Sequence, residues 1–410
     1  MRLLNAMLSR FVRCGTLRLI DPHGEVHVHQ GGPGPEVTIR ITDPKLPGSL
    51  FFNPELRAGE AYMDGTLVVE EGGIRDLLLL FALNRENLRE QPLQRYLARA
   101  KWALRALRQW NPPRRARAHV AHHYDLSNDL YRLFLGDDLN YSCAYFLKPD
   151  ETLEDAQRNK LRHVAAKLAL RPGQRVLDIG CGWGAMAFYL AEVAEVEVVG
   201  ITLSTDQQAL ATRRAEARGL SDRVRFELKD YRDVSDRYDR IVSIGMFEHV
   251  GVQNYPAFFA KLAEVLADDG VALLHSIGSM AGPGATGPWF RKYIFPGGYA
   301  PALSETLTAV ERAGLWVTDI EVLRRHYAET LRAWDQRFQS HRDQVAALFD
   351  ERFCRMWEFY LIASEYGFRY GDQMVFQIQL TKQPDALPIS RDYMAAAEAD
   401  LIGREPVHNT

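Results

Sequence analysis

The chain has 410 residues and a mass of 46.7 kDa, which is enough for two or three domains with buried cores. Its 47% hydrophobic and 25% charged content is ordinary for a globular protein, and its formal net charge of -3 excludes a general attraction to nucleic acid. The four cysteines lie far apart without a C-x-x-C pair, which argues against a metal site or a disulfide framework and fits a reducing cytoplasm.

Membrane-spanning and secretion signals are not evident in the sequence. The longest uninterrupted apolar run covers only 77–83, which is too short to cross a bilayer. Residues 1–20 are interrupted by arginines and lack the apolar core and cleavage site of a signal peptide. We therefore expect a soluble, cytoplasmic protein that makes only transient contact with a membrane surface.

Residues 1–88 predict a small mixed α+β domain. Its predicted elements are strands at 16–20, 26–29 and 36–41, a hairpin turn at 21–24, a loop at 31–35 and a helix at 74–83. His27 and His29 alternate on one strand and could be metal ligands. Without a third ligand nearby, the preferred interpretation is that both are surface residues, and no metal site is predicted.

A basic segment follows at 89–117. It contains nine Lys or Arg residues and a single acidic residue, Glu90. Apolar residues recur at helical spacing and the charges lie on the remaining arc, which predicts an amphipathic helix. Composition favours a linker with a solvated basic face. The alternative is a surface for anionic lipid headgroups, each basic residue adding roughly 1 kcal/mol. Nucleic acid is a third option, but no recognition motif accompanies the charges.

A glycine-rich turn stands at the centre of the chain. The buried-strand pattern of 175–179, which includes Asp178, leads into Gly180, Gly182 and Gly184 and then into a helical pattern. Glycine lets the backbone adopt conformations closed to other residues and lets a ligand approach main-chain N–H groups. The spacing differs from the G-x-G-x-x-G form of dinucleotide enzymes. It predicts a ligand crevice in an α/β sheet.

Strand and helix patterns alternate through the rest of the chain, which predicts an α/β fold. The predicted strands are 175–179, 197–201, 224–228, 239–244, 270–277 and 374–380, and the predicted helices are 152–170, 184–193, 206–218 and 254–267. A helical insertion is predicted at 327–368 and a tail with a short helix at 385–410. The aromatic and basic loop 281–300 is interpreted either as a lipid entrance or as an ordered loop.

Eight stretches in order resemble the cyclopropane-fatty-acyl-phospholipid synthases and the related mycolic acid cyclopropane synthases. They are 124–129, 141–146, 176–184, 200–204, 230–233, 245–251, 274–278 and 292–298. Together they cover about 120–382, whereas residues 1–88 match mainly at 59–65. The resemblance implies a class I S-adenosylmethionine (SAM) methyltransferase fold, with a mostly parallel seven-stranded sheet and a helical lid insertion, in a catalytic domain at 118–384.

The family's reaction delivers the SAM methyl group to a cis double bond of a phospholipid acyl chain, which then closes to a cyclopropane. The positions that the resemblance assigns to SAM are Tyr141, Ser142, Asp178, Gly180, Gly182, Gly184, Thr202, Ser204, Gln207, Asp230 and Tyr231. No acid directly follows the second strand, where many SAM enzymes hold the ribose. Hydroxyl groups and Gln207 are therefore expected to replace it.

The resemblance also implies a bound bicarbonate that serves as the base. The matching positions carry the family's residue types and are Cys143, Glu248, His275, the main chain of Ile277, and Tyr327. One position departs from the family pattern, because Ser364 stands where several members carry a cysteine. No activating base for a serine nucleophile is evident there, so we interpret the departure as evidence that a cysteine at this position is not needed for the chemistry.

Two other functions stay open at this point. The same intermediate could resolve to a methyl- or methylene-branched acyl chain, or the protein could be a SAM-binding regulator or lipid carrier without turnover. The expected partner is an unsaturated phospholipid in the inner membrane, without nucleic acid. A homodimer would present two basic faces to one bilayer and strengthen attachment.

Overall fold

The computed structural model describes residues 1–89 and 128–405. Most of the basic segment, including Arg95, Arg99 and Arg105, lies outside the described residues, as do 118–127 at the start of the predicted catalytic domain and 406–410 at the end of the tail. In the described part of the chain, no helix combines the length and the apolar character needed to cross a membrane.

The elements are numbered here in chain order. The strands are β1 (Cys14–Ile20), β2 (Val26–Gln30), β3 (Gly32–Ile41), β4 (Leu67–Glu71), β5 (Arg175–Ile179), β6 (Glu197–Thr202), β7 (Val224–Leu228), β8 (Tyr238–Ile244), β9 (Leu266–Ser279), β10 (Trp316–Val322) and β11 (Gln373–Thr381). The helices are α1 (Arg2–Phe11), α2 (Leu46–Phe52), α3 (Pro54–Met63), α4 (Ile74–Arg89), α5 (Asn128–Leu135), α6 (Leu153–Lys167), α7 (Ala185–Ala194), α8 (Thr205–Ala217), α9 (Tyr255–Val265), α10 (Pro288–Tyr293), α11 (Leu303–Arg312), α12 (His326–Ser340), α13 (Arg342–Leu348), α14 (Glu351–Arg369) and α15 (Asp392–Arg404).

The described residues divide by their contacts into two units. The N-terminal unit holds 1–89, 285–296 and 331–372, and the C-terminal unit holds 128–284, 297–330 and 373–405. The first contains a four-stranded sheet in the order β2-β1-β3-β4. Its alternating Leu17, Leu19, Val37, Ile39 and Ile41 are buried in one apolar core with α1 and α4.

Two details of the N-terminal unit correct the sequence predictions. The predicted loop 31–35 is wrong, because β3 already begins at Gly32 and its main chain pairs with β1 across a bulge. The surface prediction is wrong for His29, which is 5% exposed and whose Nδ1 lies 3.1 Å from the Ser9 hydroxyl. The burial of His29 could not be read from the alternation of residues along β2. It results from packing of α1 against this strand, and no sequence pattern predicted α1.

Residues 59–65, which carry the N-terminal resemblance, contact the two later segments of the same unit. The side-chain contacts are Lys292 Nζ to Glu60 Oε1 (2.5 Å), Tyr293 hydroxyl to Glu60 Oε1 (2.9 Å), Tyr62 hydroxyl to Glu358 Oε2 (2.7 Å) and Arg352 Nε to Asp64 Oδ1 (2.7 Å). At Gly59 a Cβ would lie 2.4 Å from the Trp289 indole nitrogen, so glycine permits this close approach. The stretch therefore anchors α10 and α14 within the N-terminal unit.

The C-terminal unit is built on a seven-stranded sheet in the order β10-β11-β9-β8-β5-β6-β7. Strands β5 to β9 pair in parallel, and β11 is antiparallel to both of its neighbours. The central strands are apolar on both faces because helices cover both sides, as is expected of a parallel sheet. The predicted mostly parallel seven-stranded sheet is thus confirmed.

The order of the sheet reverses beside β5. The chain leaves β5 toward β6 and β7 on one side, and later returns to β8 and β9 on the other. In open α/β sheets a crevice forms at such a reversal, at the carboxyl ends of the strands. The glycine-rich turn after β5 therefore lies where the fold can receive a ligand.

Candidate active site

The turn after β5 depends on glycine at each of its three alternate positions. Gly180, Gly182 and Gly184 have φ angles of +84°, +54° and +91°, a region that side chains disfavour. A Cβ at Gly180 would also meet Met246 at 2.7 Å, and one at Gly184 would meet Phe226 at 2.6 Å. At Gly182 a Cβ would find open space, so this main chain faces a cavity.

The cavity gathers most of the residues that the resemblance assigns to SAM. Those that line it are Tyr141, Ser142, Asp178, Gly180, Gly182, Thr202, Gln207, Asp230 and Tyr231. Gly184 and Ser204 do not line it but begin the adjoining helices. Gly184 is the N-cap of α7, and the Ser204 hydroxyl caps α8 by accepting from the Gln207 main-chain N–H at 3.2 Å.

Hydrogen bonds fix the positions of side chains on two sides of this cavity. The Thr202 hydroxyl donates to Gln207 Oε1 at 2.9 Å, in the place where an acid is missing from the sequence. Asp230 accepts from the Arg232 guanidinium at 2.6 and 2.8 Å, and the Tyr231 ring packs edge-on against Phe258. Arg232 was not among the predicted site residues. Because it pairs with Asp230, the negative charge of Asp230 is already balanced when a ligand binds.

Asp178 is the buried acid of the cavity. It lies within β5, and its Oδ2 atom has no hydrogen-bond partner among the described residues. Burial raises the pKa of this carboxyl to about 7, and the nearby charge of Lys160 works in the opposite direction. A buried carboxylate oxygen left without a partner is available to a polar ligand.

Lys160 also lines the cavity, and sequence reasoning missed it. It lies on α6 and is 2% exposed; its Nζ donates to Asn140 Oδ1 at 3.0 Å and to the Ser142 hydroxyl at 3.1 Å. Burial lowers its pKa to about 8. The available signal was its spacing, since Lys160 shares the buried face of the helix with Gln157 and Val164.

Glu248 lies in a short 3₁₀ turn that follows β8. The main-chain N–H of Ile277 on β9 donates to its Oε1 atom at 2.7 Å, while Oε2 has no partner within the described part of the chain. Burial raises the pKa of this carboxyl to about 7, partly opposed by the Ile277 N–H. The Ile277 carbonyl accepts from the Ser276 hydroxyl at 3.0 Å. Glu248 and Ile277 are therefore brought together directly.

His275 is held in one tautomer by a chain of donors. Lys167 Nζ donates to Gln377 Oε1 at 2.7 Å, and Gln377 Nε2 lies 3.2 Å from His275 Nδ1. Burial lowers the pKa of the imidazole to about 3, so the ring is neutral. Because an amide nitrogen can only donate, Nδ1 accepts and the proton resides on Nε2. His275 thus offers one N–H donor.

The segment that holds Cys143 contacts the first turns of α12, the helix that carries Tyr327. The main-chain N–H of Ala144 donates to the Thr330 hydroxyl at 3.0 Å, and Tyr327 lies one turn earlier on the same helix. Cys143 is fully buried, and burial raises the pKa of its thiol, so the sulfur carries a proton at neutral pH. Ser364 belongs instead to α14 of the N-terminal unit.

Comparison with known proteins agrees with this geometry. The family model described as "Mycolic acid cyclopropane synthetase" matches residues 112–378. A "Probable fatty acid methyltransferase" of Pseudomonas putida is 38% identical over 363 residues, which cover 86% of this chain and 88% of the relative. The "Cyclopropane-fatty-acyl-phospholipid synthase" of Escherichia coli K12 is 38% identical over 344 residues, which cover 84% and 87%.

Solved structures give the same result. The crystal structure of "mycolic acid cyclopropane synthase CmaA1 complexed with SAH and CTAB" is 36% identical, with a TM-score of 0.62, and covers 66% of this chain and 99% of that one. The predicted fold and family are therefore confirmed. Because the relatives are enzymes, the hypothesis of a regulator without turnover is set aside. The chain belongs to the mycolic acid cyclopropane synthetase family and is a SAM-dependent enzyme of the cyclopropane synthase class.

Proposed function

We propose that this enzyme transfers a methylene group from SAM to the cis double bond of an unsaturated phospholipid acyl chain and forms a cyclopropane ring. The observation that carries the proposal is the buried Glu248 carboxyl in the turn after β8, one oxygen of which has no hydrogen-bond partner among the described residues. The name of the Escherichia coli relative supports the phospholipid substrate.

Methyl transfer requires a sulfonium held with its methyl group toward the alkene. We assign the SAM amino acid end to Tyr141 and Ser142 above the glycine turn, the ribose side to Thr202 and Gln207, and the adenine to Tyr231. Preorganisation of this kind removes much of the entropic barrier of a bimolecular step. Gly184 and Ser204 are proposed to shape the main chain, since they begin α7 and α8.

Addition of the methyl group leaves a carbocation on the acyl chain. Such a cation is stabilised by aromatic faces and by negative charge where water is excluded. The ring closes when a proton leaves the transferred carbon and its bonding electrons attack the cation. The chemistry therefore needs a base near the methyl group and a dry environment.

The chain's own residues fit a small bound anion. The Nε2–H of His275 is a donor, and the protonated thiol of Cys143, which donates to the Ala144 carbonyl at 3.3 Å in this structure, would turn to the anion. The Glu248 oxygen that has no partner among the described residues is an acceptor for a hydroxyl group. The Ile277 carbonyl and the Tyr327 hydroxyl complete the proposed set. A bound bicarbonate would supply the basic oxygen for the departing proton, and a hydrogen bond to Glu248 would raise its proton affinity.

The location and organisation of the enzyme are part of the same proposal. We assign 1–88 to lipid binding or dimer support, 89–117 to a basic linker that meets anionic headgroups, 118–384 to catalysis and 385–410 to a tail. The enzyme would work in the cytoplasm, attached peripherally to the inner membrane surface. A homodimer would strengthen this attachment through effective concentration.

Incubation with SAM and vesicles of an unsaturated phospholipid tests the function. The proposal predicts a lipid heavier by one CH₂ unit, without its original double bond and with cyclopropane protons upfield in the NMR spectrum. The matched control is Glu248→Gln, which keeps the shape of the side chain but removes its charge. A wild-type preparation that binds SAM and gives no heavier lipid contradicts the proposal.

A second function is favoured by the Pseudomonas putida relative, whose name specifies a fatty acid methyltransferase. The same cation would then lose a proton from the chain carbon that bears the new methyl group and give a methyl-branched alkene. After a 1,2-hydride shift it would instead lose a proton from the new methyl group and give a methylene branch. The vesicle assay separates the two products, because a branched chain gains the CH₂ mass without upfield ring protons.

A further inference from the structure

Lys160 is a buried cation that forms no ion pair with a described residue, although the Asp178 and Asp138 carboxylates act on it electrostatically. Its ammonium group donates to two neutral oxygens, on Asn140 and Ser142, and no carboxylate of the described residues lies within ion-pair distance. An unpaired charge in a protein interior costs free energy, and buried lysines are normally paired. Such a group is retained where its charge has a use.

A second buried lysine on the same helix is paired with acids, as buried lysines usually are. Lys167 lies seven residues further along α6, two turns away on the same face, and is equally buried. It pairs with Glu321, lies 3.8 Å from Asp319 Oδ2 and donates to the Gln377 amide. A buried lysine on this helix can therefore form ion pairs with acids, whereas Lys160 forms none with a described residue.

The charge of Lys160 acts on three groups that come from separate elements. It influences the Cys143 thiol, the Asp178 carboxyl and the His275 imidazole. Asp178 lines the SAM cavity, whereas Cys143 and His275 belong to the proposed anion set. The 3.1 Å contact with Ser142 places the Lys160 ammonium beside the segment that holds Cys143, and Lys160 lines the cavity together with Asp178.

The proposed anion set lacks a positive charge of its own. Cys143 is a neutral thiol, His275 is a neutral imidazole, and Glu248 becomes negative when ionised. An anion beside such an acid is repelled unless a cation compensates for it, most strongly where water is excluded. Lys167 also acts on His275, but its charge is already balanced by Glu321.

We propose that Lys160 is the charge-compensating residue that allows bicarbonate to bind beside Glu248. The inference rests on the proposed function, since it concerns the anion that serves as the base there. In this role Lys160 acts through its field and through the segment 140–143, whose Asn140 and Ser142 side chains it holds. It takes no proton from the lipid and is a positioning residue.

The test measures the rate of methylene transfer against added bicarbonate in buffer freed of carbon dioxide. Wild type, Lys160→Gln, Lys160→Met and Lys160→Arg are compared at saturating SAM on vesicles of an unsaturated phospholipid. We expect Lys160→Gln and Lys160→Met to raise the half-saturating bicarbonate concentration by roughly tenfold or more, the effect of one buried charge. Lys160→Arg should recover most of the wild-type value.

Three controls separate this role from a structural one. Lys382→Gln removes the same charge from a surface residue that pairs with Asp268, and should leave the half-saturating concentration unchanged. Thermal unfolding should show Lys160→Met at least as stable as wild type, because an unpaired buried charge has been removed. SAM affinity, measured by calorimetry, shows whether loss of the Ser142 contact accounts for a lower rate.

The outcomes distinguish the inference from the function on which it rests. A wild type that needs bicarbonate, with neutral Lys160 variants of unchanged bicarbonate dependence, overturns the inference and leaves the proposed function intact. A wild type that forms cyclopropane without any dependence on bicarbonate overturns the proposed base and the inference together. A shift in the neutral variants that Lys160→Arg reverses supports the inference.

Discussion

Glu365 in the N-terminal unit and two buried acids of the candidate active site differ in how completely they are paired. In the N-terminal unit, Glu365 accepts hydrogen bonds from Arg75 at 2.5 and 2.9 Å and from Arg369 at 3.0 and 3.2 Å, so both of its oxygens are used. In the C-terminal unit, Asp178 and Glu248 each keep one buried oxygen without a partner among the described residues. Both kinds of acid are almost inaccessible to solvent.

The difference shows what each acid contributes. A fully paired buried acid contributes to the fold, because removal of either partner leaves a charge that the interior cannot solvate. A buried acid with a free oxygen destabilises the empty protein and gains its partner only when a ligand arrives. Substitution should therefore affect stability in the first unit and turnover in the second.

The largest effect is expected at Glu248. Glu248→Gln should lower the rate of methylene transfer by about 10² to 10⁴, the usual contribution of a group that supports proton transfer. Its thermal unfolding midpoint should stay at or above the wild-type value, because a buried ionisable group has been removed. If the variant lost stability while its rate of methylene transfer stayed unchanged, Glu248 would have a structural role like that of Glu365.

Glu365→Gln should reverse that pattern. Loss of the charge that pairs with Arg75 and Arg369 should lower the free energy of unfolding by roughly 3 kcal/mol, as is typical when one partner of a buried ion pair is removed. Urea denaturation provides the measurement. SAM affinity should stay unchanged, and a large loss of SAM affinity without loss of stability contradicts this assignment.

Gly59→Ala tests the anchoring of α10 by the stretch 59–65. The added Cβ would lie 2.4 Å from the Trp289 ring, which is rigid, so about 1–3 kcal/mol of stability should be lost through overpacking. Gly48→Ala on α2 is the matched control, because its Cβ would meet no atom within 4 Å. If both variants are equally stable, the close approach at Gly59 does not constrain the fold.

The smallest effect is a change of stability with pH in the absence of ligands. Burial raises the pKa of Asp178 and Glu248 to about 7, well above the values of the unfolded chain, so the folded protein binds more protons between about pH 4 and 7. Their contribution to stability is therefore present below about pH 4 and is lost as pH rises through 7. Thermal midpoints of wild type and Glu248→Gln at pH 5 and 8 measure it, and the variant should fall less between them. Equal falls would contradict a raised pKa at Glu248.

Sequence patterns predicted six of the seven strands of the large sheet, because apolar residues dominate their buried positions and glycine or polar turns bound them. They missed β10, whose sequence carries two acids and an exposed Trp316. The strand 175–179 matches β5 residue for residue, and the last strand also lies where it was expected. Helices occupy the predicted insertion 327–368, but 331–372 group with the N-terminal unit rather than with the rest of the predicted catalytic domain. The same reasoning failed at β3, since the pairing of Gly32 with β1 depends on main-chain contacts rather than on side-chain alternation. It also missed α1, whose burial of His29 depends on tertiary packing.

The candidate site was predicted less completely than the sheet. Motif positions such as Asp178 and Glu248 could be named because a family resemblance carries them. Gln377 could not, since a glutamine in a strand is expected to face solvent until its neighbours in space are known. Lys160 had only the weak signal of its helical spacing from Gln157 and Val164. Which buried polar atoms remain without a partner is likewise a property of the folded structure alone.

The central claim is that a proton leaves the transferred carbon after it has bonded to the lipid. Incubation with SAM that carries a fully deuterated methyl group, followed by mass spectrometry of the phospholipid acyl chains, tests it most directly. The account predicts that the product keeps two of the three deuterium atoms. A product that keeps all three would contradict it.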